Sequence, residues 1–288
     1  MNLDELRTFL EVIESGSLVA AARRLNVTPS TVTARLDALE DEVGQTLLHR
    51  AKSGTELTSP GFKFKRYAEV MVQLWGQARY EAALPKGFEA VCNVGLEYDL
   101  WAGVGSTFLN HVRSHAPGVA IALWPGTQRE IDRWLGIGLI DIAFCYAPQP
   151  GERFSSRVLF EDEIVLVSTD KHASAGPGSI FVDHGDEFRR QHAAAFSHSP
   201  PSTVTIASSA WALQHMLASG GSAYLPLRIV QNELDQARLH AVQGAQSFQR
   251  RVHIVETTDT VKNWTWYGAA LAAATPRPLR GRIASTAR

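Results

Sequence analysis

The segment from Ser17 to Arg50, SLVAAARRLNVTPSTVTARLDALEDEVGQTLLHR, places the strongest constraint on how this chain folds. It contains two short helical patterns separated by a tight break. Ser17 can cap the first helix, whose inner face carries small alanines that let a neighbouring helix approach closely. Thr28 is a candidate N-cap of the second helix, and Pro29 falls at its first position, where a missing N–H costs nothing. The segment therefore predicts two helices packed across a turn.

The second of these helices has two different faces. Apolar residues at helical spacing form its inner stripe: Val32, Leu36, Leu39 and Val43. Short hydroxyl groups and one guanidinium form the opposite face: Ser30, Thr31, Thr33 and Arg35. A preceding amphipathic helix, with Leu3, Leu6, Leu10 and Ile13 on one side, completes a three-helix unit. An outer face of this kind, held by a helix and a turn, suits the major groove of DNA.

The residues after Gly44 predict a two-stranded wing with a flexible tip, from which Arg50 and Lys52 would contact the phosphate backbone. The local charge argues against DNA binding, because residues 1–60 hold six basic and nine acidic residues, a balance of −3. Phosphate neutralisation usually supplies most non-specific affinity, so the acidic groups would have to lie away from the DNA. Short amphipathic helices with a turn also occur without DNA binding, and periodicity alone leaves both readings open.

The order and spacing of many residues here resemble the winged helix-turn-helix of LysR-type transcriptional regulators. The matching positions are Ala21, Ala22, Leu25, Thr28, Ser30, Val32, Thr33, Leu39, Glu40, Gly44, Leu47, Leu48, Arg50, Leu57, Thr58 and Gly61. The resemblance implies a DNA-binding domain over residues 1–58 that reads a dyad-symmetric site in double-stranded DNA. Pro29 stands where the family commonly has glutamine, and Asp37 where it commonly has a basic residue. We therefore expect base contacts from the hydroxyl face and Arg35, with low affinity per subunit that multivalency rescues.

Residues 59–86 predict a long helix, which only Gly61 and Gly76 interrupt. Apolar side chains recur along it at intervals of three and four: Phe64, Tyr67, Met71, Leu74 and Ala78. This spacing is typical of a coiled-coil seam of about two heptads and predicts a dimerising helix. The resemblance also implies a homodimer and, beyond it, a homotetramer. The same stripe could instead pack on its own domain.

Residues 87–288 alternate between strand-like and helix-like stretches, which predicts a mostly parallel sheet with flanking helices. Thr127 and Glu130 have the spacing of a capping box at one helix start. The order of elements predicts lobe I over about 87–162 and 257–288, and lobe II over about 163–256. Spacings around Leu135–Ala143 and Gly220–Pro226 resemble the effector-binding domain of LysR-type regulators, which is similar to periplasmic solute-binding folds. The expected fold class is thus α/β multidomain: a winged helix-turn-helix, a linker helix and a two-lobed periplasmic-binding-protein-like domain.

Ligands of such sheets bind beyond the carboxyl ends of strands, between lobes. The candidate effector-binding residues are Glu97, Tyr98, Asp99, Thr127, Tyr146, Ser208 and Ser209. Capped helix starts offer N–H groups that suit an anion, whereas two of these residues are acidic and favour a cationic, amine-bearing or neutral aromatic ligand. Six indoles could supply stacking walls: Trp101, Trp124, Trp134, Trp211, Trp264 and Trp266. Each residue also has an ordinary structural role as a cap or in the core, and the cleft could be filled by its own side chains.

Sequence motifs of hydrolases, phosphate-binding loops and zinc proteases are absent, so we expect no catalysis and no cofactor. His111 and His115 have metal-ligand spacing but no third ligand nearby, so we expect no metal. No apolar run reaches about 18 residues, and the acidic start is unlike a secretory signal, so we expect a cytoplasmic protein without a membrane span. Cys92 and Cys145 lie in apolar runs and are expected to be reduced thiols. Two alternatives remain: a cytoplasmic small-molecule-binding protein whose N-terminal helices only dimerise, and an enzyme with an accessory helical domain.

Overall fold

The computed structural model describes residues 2–51, 54–149, 151, 154–257 and 261–276. The chain divides into two compact units, Met1–Lys86 and Gly87–Arg288. The elements of the N-terminal unit are α1 (Leu3–Ser15), α2 (Leu18–Arg24), α3 (Pro29–Val43), β1 (Leu48–Ala51), β2 (Gly54–Leu57) and α4 (Ser59–Ala82). Three helices, a two-stranded wing and a long helix therefore follow each other in the predicted order.

Local sequence sets where the first three helices begin and end. The side chains of Ser17 and Thr28 accept hydrogen bonds from the backbone of α2 and α3, which confirms both predicted caps. Gly16 and Gly44 end α1 and α3 with φ angles of 67° and 70°. A residue with a Cβ rarely adopts this left-handed conformation, so glycine is the residue that ends each helix at low cost.

The predicted inner faces of the three helices meet in one apolar core. Its fully buried members are Leu6, Phe9, Val12, Ala21, Ala22, Val32, Leu36, Leu39, Leu47, Leu48 and Ala68. Leu3, Leu10, Ile13 and Val43 pack against it while staying partly exposed. Each fully buried aliphatic or aromatic side chain contributes about 1.5–3 kcal/mol, so this small unit depends on nearly all of them.

Helix α4 shares this core, and this corrects the prediction of a continuous five-residue seam. Phe64 and Met71 pack against the N-terminal core, and the Phe64 ring lies edge-on to Phe9 with centroids 5.6 Å apart. Tyr67 is 52% exposed, and Ala78 is exposed as well. The predicted seam therefore has two faces. Phe64 and Met71 cover the core of their own domain, as the alternative interpretation allowed, whereas Tyr67 and Ala78 form a solvent-exposed apolar face.

The wing is fixed to α3 and α4 by short polar contacts. The carboxylate of Glu40 accepts hydrogen bonds from the N–H groups of Leu47 and Leu48, at 2.6 and 2.9 Å. The hydroxyl of Thr58 donates to the Thr46 carbonyl and accepts from the Gly61 N–H, at 2.7 and 2.9 Å. A Cβ at Gly61 would lie 1.9 Å from the Leu47 carbonyl oxygen, so only glycine allows α4 to approach the wing this closely.

The C-terminal unit alternates strands and helices. Its elements are β3 (Ala90–Glu97), α5 (Ser106–His115), β4 (Val119–Gly126), α6 (Gln128–Gly136), β5 (Ile142–Cys145), β6 (Phe154–Ser168), β7 (Ile180–Val182), α7 (Asp186–Ala195), β8 (Val204–Ile206), α8 (Ser209–Ser219), β9 (Ser222–Pro226), α9 (Leu227–Asp235), β10 (His240–Ala241), β11 (Phe248–Thr257) and α10 (Tyr267–Ala274). A short 3₁₀ turn, Tyr98–Leu100, follows β3. The final helix begins at Tyr267.

The described strands of this unit form one mixed sheet in the order β4-β3-β5-β11-β6-β9-β7-β8, with β10 beside β6. Pairing is parallel among β4, β3 and β5, and again among β9, β7 and β8. The central strands β6 and β11 are antiparallel to each other and to their neighbours. The prediction of a mostly parallel sheet is therefore wrong for the centre, because the chain crosses between the lobes once in each direction.

Each lobe has its own core. Lobe I packs α5 and α10 on its strands around Phe108 and Phe144, whose rings are 5.5 Å apart. In lobe II, α8 and α9 cover one side of the strands around Met216 and Leu225, and Phe188 and Tyr224 lie in a separate cluster. Cys92 and Cys145 are buried and unbonded to each other.

Candidate functional site

The start of α3 presents the predicted hydroxyl groups. Ser30 is exposed, and Thr31 and Thr33 are partly buried. The Thr28 hydroxyl lies 2.8 Å from both the Ser30 and the Thr31 hydroxyl oxygens. Hydroxyl groups rotate freely and can donate or accept, so this cluster can adapt to different hydrogen-bonding partners.

Arg35 is less available than the sequence predicts. Its guanidinium donates to the Asp4 carboxylate at 3.2 Å and to the Thr8 hydroxyl at 3.4 Å, and its side chain is only 28% exposed. These contacts tie α3 to α1. They also place one acidic group of α1 directly against α3, whereas the sequence reading required the acids to lie away from the DNA-binding face.

The wing carries the other two predicted DNA contacts. Arg50 lies in β1, where its backbone pairs with Thr55 of β2. Lys52 lies outside the described residues. The Thr55 N–H donates to the Gly16 carbonyl at 3.0 Å, so the wing is attached to the end of α1.

A cleft of about 1280 Å³ separates the two lobes of the C-terminal unit. Three of the predicted effector-binding residues line it: Glu97, Thr127 and Tyr146. The other four, Tyr98, Asp99, Ser208 and Ser209, are not among the residues that line this cleft. The predicted tryptophan walls are also not found there. Most of the residues that line the cleft are polar or charged, so the cleft differs from the tryptophan-walled pocket considered above.

The start of α8 is occupied by a carboxylate of the opposite lobe. Asp99 accepts hydrogen bonds from the Ser209 N–H at 3.0 Å and from the Ser209 hydroxyl at 2.6 Å. Ser208 caps the same helix through the Trp211 N–H, at 3.4 Å. The expectation of free N–H groups at this helix start is therefore wrong, because Asp99 already fills the position that a ligand anion would take.

The start of α6 is filled from within its own helix. The N–H and the hydroxyl of Thr127 both donate to the Glu130 carboxylate at 2.8 Å, and the Glu130 N–H returns a bond of 3.4 Å. This confirms the predicted capping box. The hydrogen bonds from the Thr127 backbone and hydroxyl hold the pKa of Glu130 below its ordinary value. Thr127 thus lines the cleft while its polar groups serve the helix.

Arg228 connects the lobes and was not predicted from the sequence. Its guanidinium donates to the Asp162 carboxylate at 3.0 Å, to the Asp99 carbonyl at 2.8 Å, to the Tyr146 hydroxyl at 3.1 Å and to the Ala102 carbonyl. The side chains of Arg228 and Asp162 are 6% and 3% exposed. Burial raises the pKa of Asp162, and Arg228 opposes this shift. No local pattern marks such a residue, since its partners lie far away in sequence.

Tyr146 is held between an acidic and a basic group. Its N–H donates to the Glu97 carboxylate at 2.7 Å, and the guanidinium carbon of Arg250 lies 3.1 Å from its ring centroid. Burial raises the pKa of Tyr146 to about 12, so the phenol stays neutral. Burial also raises the pKa of Glu97, opposed first by the Tyr146 N–H and then by Arg250. A cation–π contact with a guanidinium orients its planar face on the ring and leaves its edges for other partners.

The described residues were also compared with what a metal site or a membrane-spanning helix requires. Within the described ranges, no group of three or more His, Cys, Asp or Glu side chains could hold a metal ion. His111 and His115 stack with ring centroids 4.2 Å apart, and the His111 carbonyl lies 3.0 Å from His115 Nδ1. In the same parts of the chain, no helix has both the length and the apolar character needed to span a lipid bilayer.

The fold and these sites define a class: a winged helix-turn-helix unit followed by a two-lobed ligand-binding unit. Family models give the same division. The model described as bacterial regulatory helix-turn-helix protein, lysR family, matches residues 3–62, and the model of the LysR substrate binding domain matches residues 92–261. The chain belongs to the LysR family of bacterial transcriptional regulators.

Curated relatives are distant. The chain is 27% identical over 178 residues to the probable HTH-type transcriptional regulator LrrA of Synechococcus elongatus, a match that covers 62% of this chain and 60% of that protein. It is 23% identical over 259 residues to the HTH-type transcriptional regulator HdfR of Salmonella schwarzengrund, which covers 88% of this chain and 92% of that protein.

Solved structures share the fold at low identity. CbnR, a LysR family transcriptional regulator, is 17% identical with a TM-score of 0.69, covering 96% of this chain and all of that chain. CbnR complexed with its target DNA gives a TM-score of 0.68 at 18% identity, with 96% and 99% covered. Full-length LysG of Corynebacterium glutamicum with bound effector Arg gives 0.51 at 18% identity, with 95% and 98% covered.

Proposed function

We propose that two copies of this regulator place α3 in successive major grooves of a dyad-symmetric DNA site, and that a small molecule bound between the lobes controls transcription. The observation that carries the DNA-binding part is the hydroxyl cluster of Thr28, Ser30 and Thr31 at the start of α3. Arg35 follows on the same helix, with its guanidinium against Asp4 and Thr8 of α1. CbnR, which shares the fold, has been solved with its target DNA. LysG has been solved with bound effector Arg. Both support a regulator of this kind.

The contact between Arg35 and Asp4 does not prevent DNA recognition, because it is weak. The two side chains are 28% and 49% exposed, and partly exposed ion pairs contribute about 0–1 kcal/mol. A bidentate contact between arginine and guanine contributes about 1–3 kcal/mol of discrimination. Arg35 can therefore exchange Asp4 for a base edge, and the ion pair would hold the side chain close to its bound position.

The test starts from a DNA site selected by the full-length wild-type protein from a random pool. Arg35→Ala should weaken binding to this site by roughly ten- to a hundredfold, while Asp4→Ala should preserve or strengthen it. Arg113→Ala, an exposed arginine of the C-terminal unit, is the matched control. Normal DNA binding by Arg35→Ala would remove this residue from the proposed interface. Failure of the wild type to select any site would favour one of the two alternatives, a solute-binding protein or an enzyme.

We infer a homodimer, with a further homotetramer, from the open apolar face of α4. Tyr67 and Trp75 are 52% and 51% exposed on this helix. Side chains of this size are commonly covered in an assembly, and family membership supports pairing through this helix. Tyr67→Glu should shift the sedimentation of the full-length chain toward the monomer, and Glu69→Gln on the same helix serves as a control.

The effector-binding part rests on the cleft and on the match to the substrate binding domain. Glu97, Thr127 and Tyr146 remain our candidates for direct contact, whereas Tyr98, Asp99, Ser208 and Ser209 would act indirectly, through the contact between the lobes. The relatives found are regulators, and we propose that this chain also acts by binding rather than catalysis. A regulator of bacterial DNA would work in the cytoplasm.

A further inference from the structure

One wall of the cleft contains polar groups that the fold leaves unused. This wall is formed by His184, the start of α7 and Arg250 of β11, all of which line the cleft. None of the three was predicted as a site residue. Each has a hydrogen-bonding capacity that the described part of the chain does not satisfy.

His184 is only 2% exposed, and one of its ring nitrogens lacks a partner. Its Nε2 lies 2.8 Å from the Tyr224 carbonyl oxygen, which can only accept, so Nε2 carries the hydrogen and donates it. Burial, partly opposed by this hydrogen bond, lowers the pKa of His184 to about 4, so the ring is neutral near pH 7. In a neutral ring with a protonated Nε2, Nδ1 is an acceptor. An unsatisfied acceptor of this kind is costly when buried, and an O–H or N–H of a ligand that reaches it from the cleft would relieve that cost.

The start of α7 offers donors. Helix α7 has ten residues and begins after Gly185, whose own N–H donates to the Asp183 carboxylate at 2.9 Å. Asp183 is paired with Arg189, and no described side chain caps the N–H groups of the first turn. Its first turn carries two acids, Asp186 and Glu187, and both are paired with arginines of the same helix, Arg189 and Arg190. The first backbone N–H groups of a helix remain available to an anion, and the helix dipole favours negative charge there.

Arg250 supplies a cation next to this helix start. A Cβ built on Gly185 would lie 3.9 Å from Nη2 of Arg250, while the guanidinium face rests on Tyr146. Among the described residues, no carboxylate is within ion-pair distance of Arg250. Arg250 acts electrostatically on Glu97 and Asp162, and these carboxylates already accept hydrogen bonds from Tyr146 and Arg228. The edge of the guanidinium is therefore available for a carboxylate.

We propose that the cleft takes a small carboxylic acid that carries a hydroxyl group close to its carboxylate. The carboxylate would bind Arg250 and the first N–H groups of α7, and the hydroxyl would donate to Nδ1 of His184. The start of α6 at the cleft is closed to an anion because Glu130 fills it, and the start of α8, outside the cleft lining, is filled by Asp99. This inference rests on the effector role proposed above and names the chemistry of the ligand.

Glycolate, the smallest hydroxy acid of this class, and two analogues of it serve as probes. The cleft is large enough for all three. Glycolate has both groups, acetate lacks the hydroxyl, and glycolamide lacks the negative charge. Binding to the full-length protein is measured as a saturable rise in melting temperature up to about 100 mM probe, because a ligand that binds only the folded state stabilises it. We expect glycolate to bind most tightly, acetate more weakly, and glycolamide not measurably.

Three variants assign the contacts. Arg250→Gln should weaken glycolate and acetate alike, by about tenfold or more. His184→Gln keeps an amide able to donate to the Tyr224 carbonyl but removes the Nδ1 acceptor, so it should abolish the preference for glycolate over acetate. Arg157→Gln is the matched control, because this guanidinium is 54% exposed, pairs with Glu256 and is not among the residues that line the cleft. Its glycolate binding should equal that of the wild type.

The proposal fails if neither carboxylate gives a saturable shift, or if Arg250→Gln and Arg157→Gln bind glycolate equally well. It also fails if glycolamide binds as tightly as glycolate. DNA binding of the same preparations is measured in parallel. Intact DNA binding with no carboxylate binding would overturn only the ligand chemistry, whereas loss of both would overturn the proposed function.

Discussion

Replacement of Arg228 by methionine tests whether the contact between the lobes depends on a buried ion pair. Methionine keeps much of the side-chain volume but removes the charge and the donors that reach Asp162, Tyr146 and the carbonyls of Asp99 and Ala102. The Asp162 carboxylate, 3% exposed, would then remain buried without its counterion. Removing one partner of a buried pair costs about 3–5 kcal/mol, because the remaining charge is desolvated and uncompensated.

Urea unfolding of the full-length chain measures this cost. Six of the seven tryptophans lie in the C-terminal unit, so indole fluorescence reports mainly on its unfolding. With a slope of about 2–3 kcal/mol per molar urea, the midpoint should fall by about 1–2 M. Arg251→Met removes an exposed partner of Glu161 and should change the midpoint little, since exposed pairs contribute about 0–1 kcal/mol.

A double variant separates the buried charge from the lost hydrogen bonds. Arg228→Met combined with Asp162→Leu leaves no buried charge at this position and should recover a large part of the stability, to within about 2 kcal/mol of the wild type. If Arg228→Met alone moves the midpoint by less than the exposed control does, the reasoning about the buried pair is refuted. If the double variant is as unstable as the single one, the hydrogen bonds carry the contact and the ion pair does not.

Three further predictions concern stability. Gly61→Ala should destabilise the N-terminal unit by about 1–3 kcal/mol or more, because the new Cβ would clash with the Leu47 carbonyl. Gly76→Ala on the same helix places its Cβ in open space and should stabilise the unit by about 1 kcal/mol. Far-UV circular dichroism during thermal unfolding compares the two variants. Glu40→Ala should cost about 1–3 kcal/mol in the same assay, since two N–H groups at the wing lose their acceptor, and a change below a few tenths would contradict this role. The pKa of His184 is lowered from its ordinary 6.5 to about 4, so the C-terminal unit should be fully stable above pH 6.5 and lose up to about 3 kcal/mol as the pH falls toward 4, a loss that His184→Gln should reduce in urea titrations.

Features that depend on neighbours in sequence were predictable. The caps at Ser17 and Thr28 and the capping box at Thr127 follow from residues two or three positions apart, and all are present. The apolar faces of the first three helices also follow from local periodicity. The hydroxyl face of α3, which we propose as the recognition surface, could thus be identified from the sequence, because it is the reverse side of a local apolar stripe.

Features that depend on distant partners were not predictable. Periodicity in α4 predicted an apolar stripe but could not predict which part of the protein each side chain of the stripe contacts. Phe64 and Tyr67 were therefore assigned to one seam, although Phe64 packs against the N-terminal core and Tyr67 is exposed. The first half of β6 is largely exposed, so its sequence lacks the buried apolar run that predicts a strand. Arg228, with partners 66 and more residues away, and Arg250 look in the sequence like ordinary surface arginines. Their roles arise only when the two lobes meet.

The continuity of β6 and β11 has a mechanical consequence. Both strands run through the junction of the lobes and stay hydrogen-bonded to each other over ten residue pairs. Opening of the cleft would therefore twist the two-stranded ribbon that both lobes share. It would not be a hinge motion of two rigid lobes about flexible loops. The register of the ribbon slips between Val252 and His253, and an irregularity of this kind bends more easily than an unbroken ladder. We expect the angular change that a ligand produces to concentrate at that slip, next to the guanidinium of Arg250.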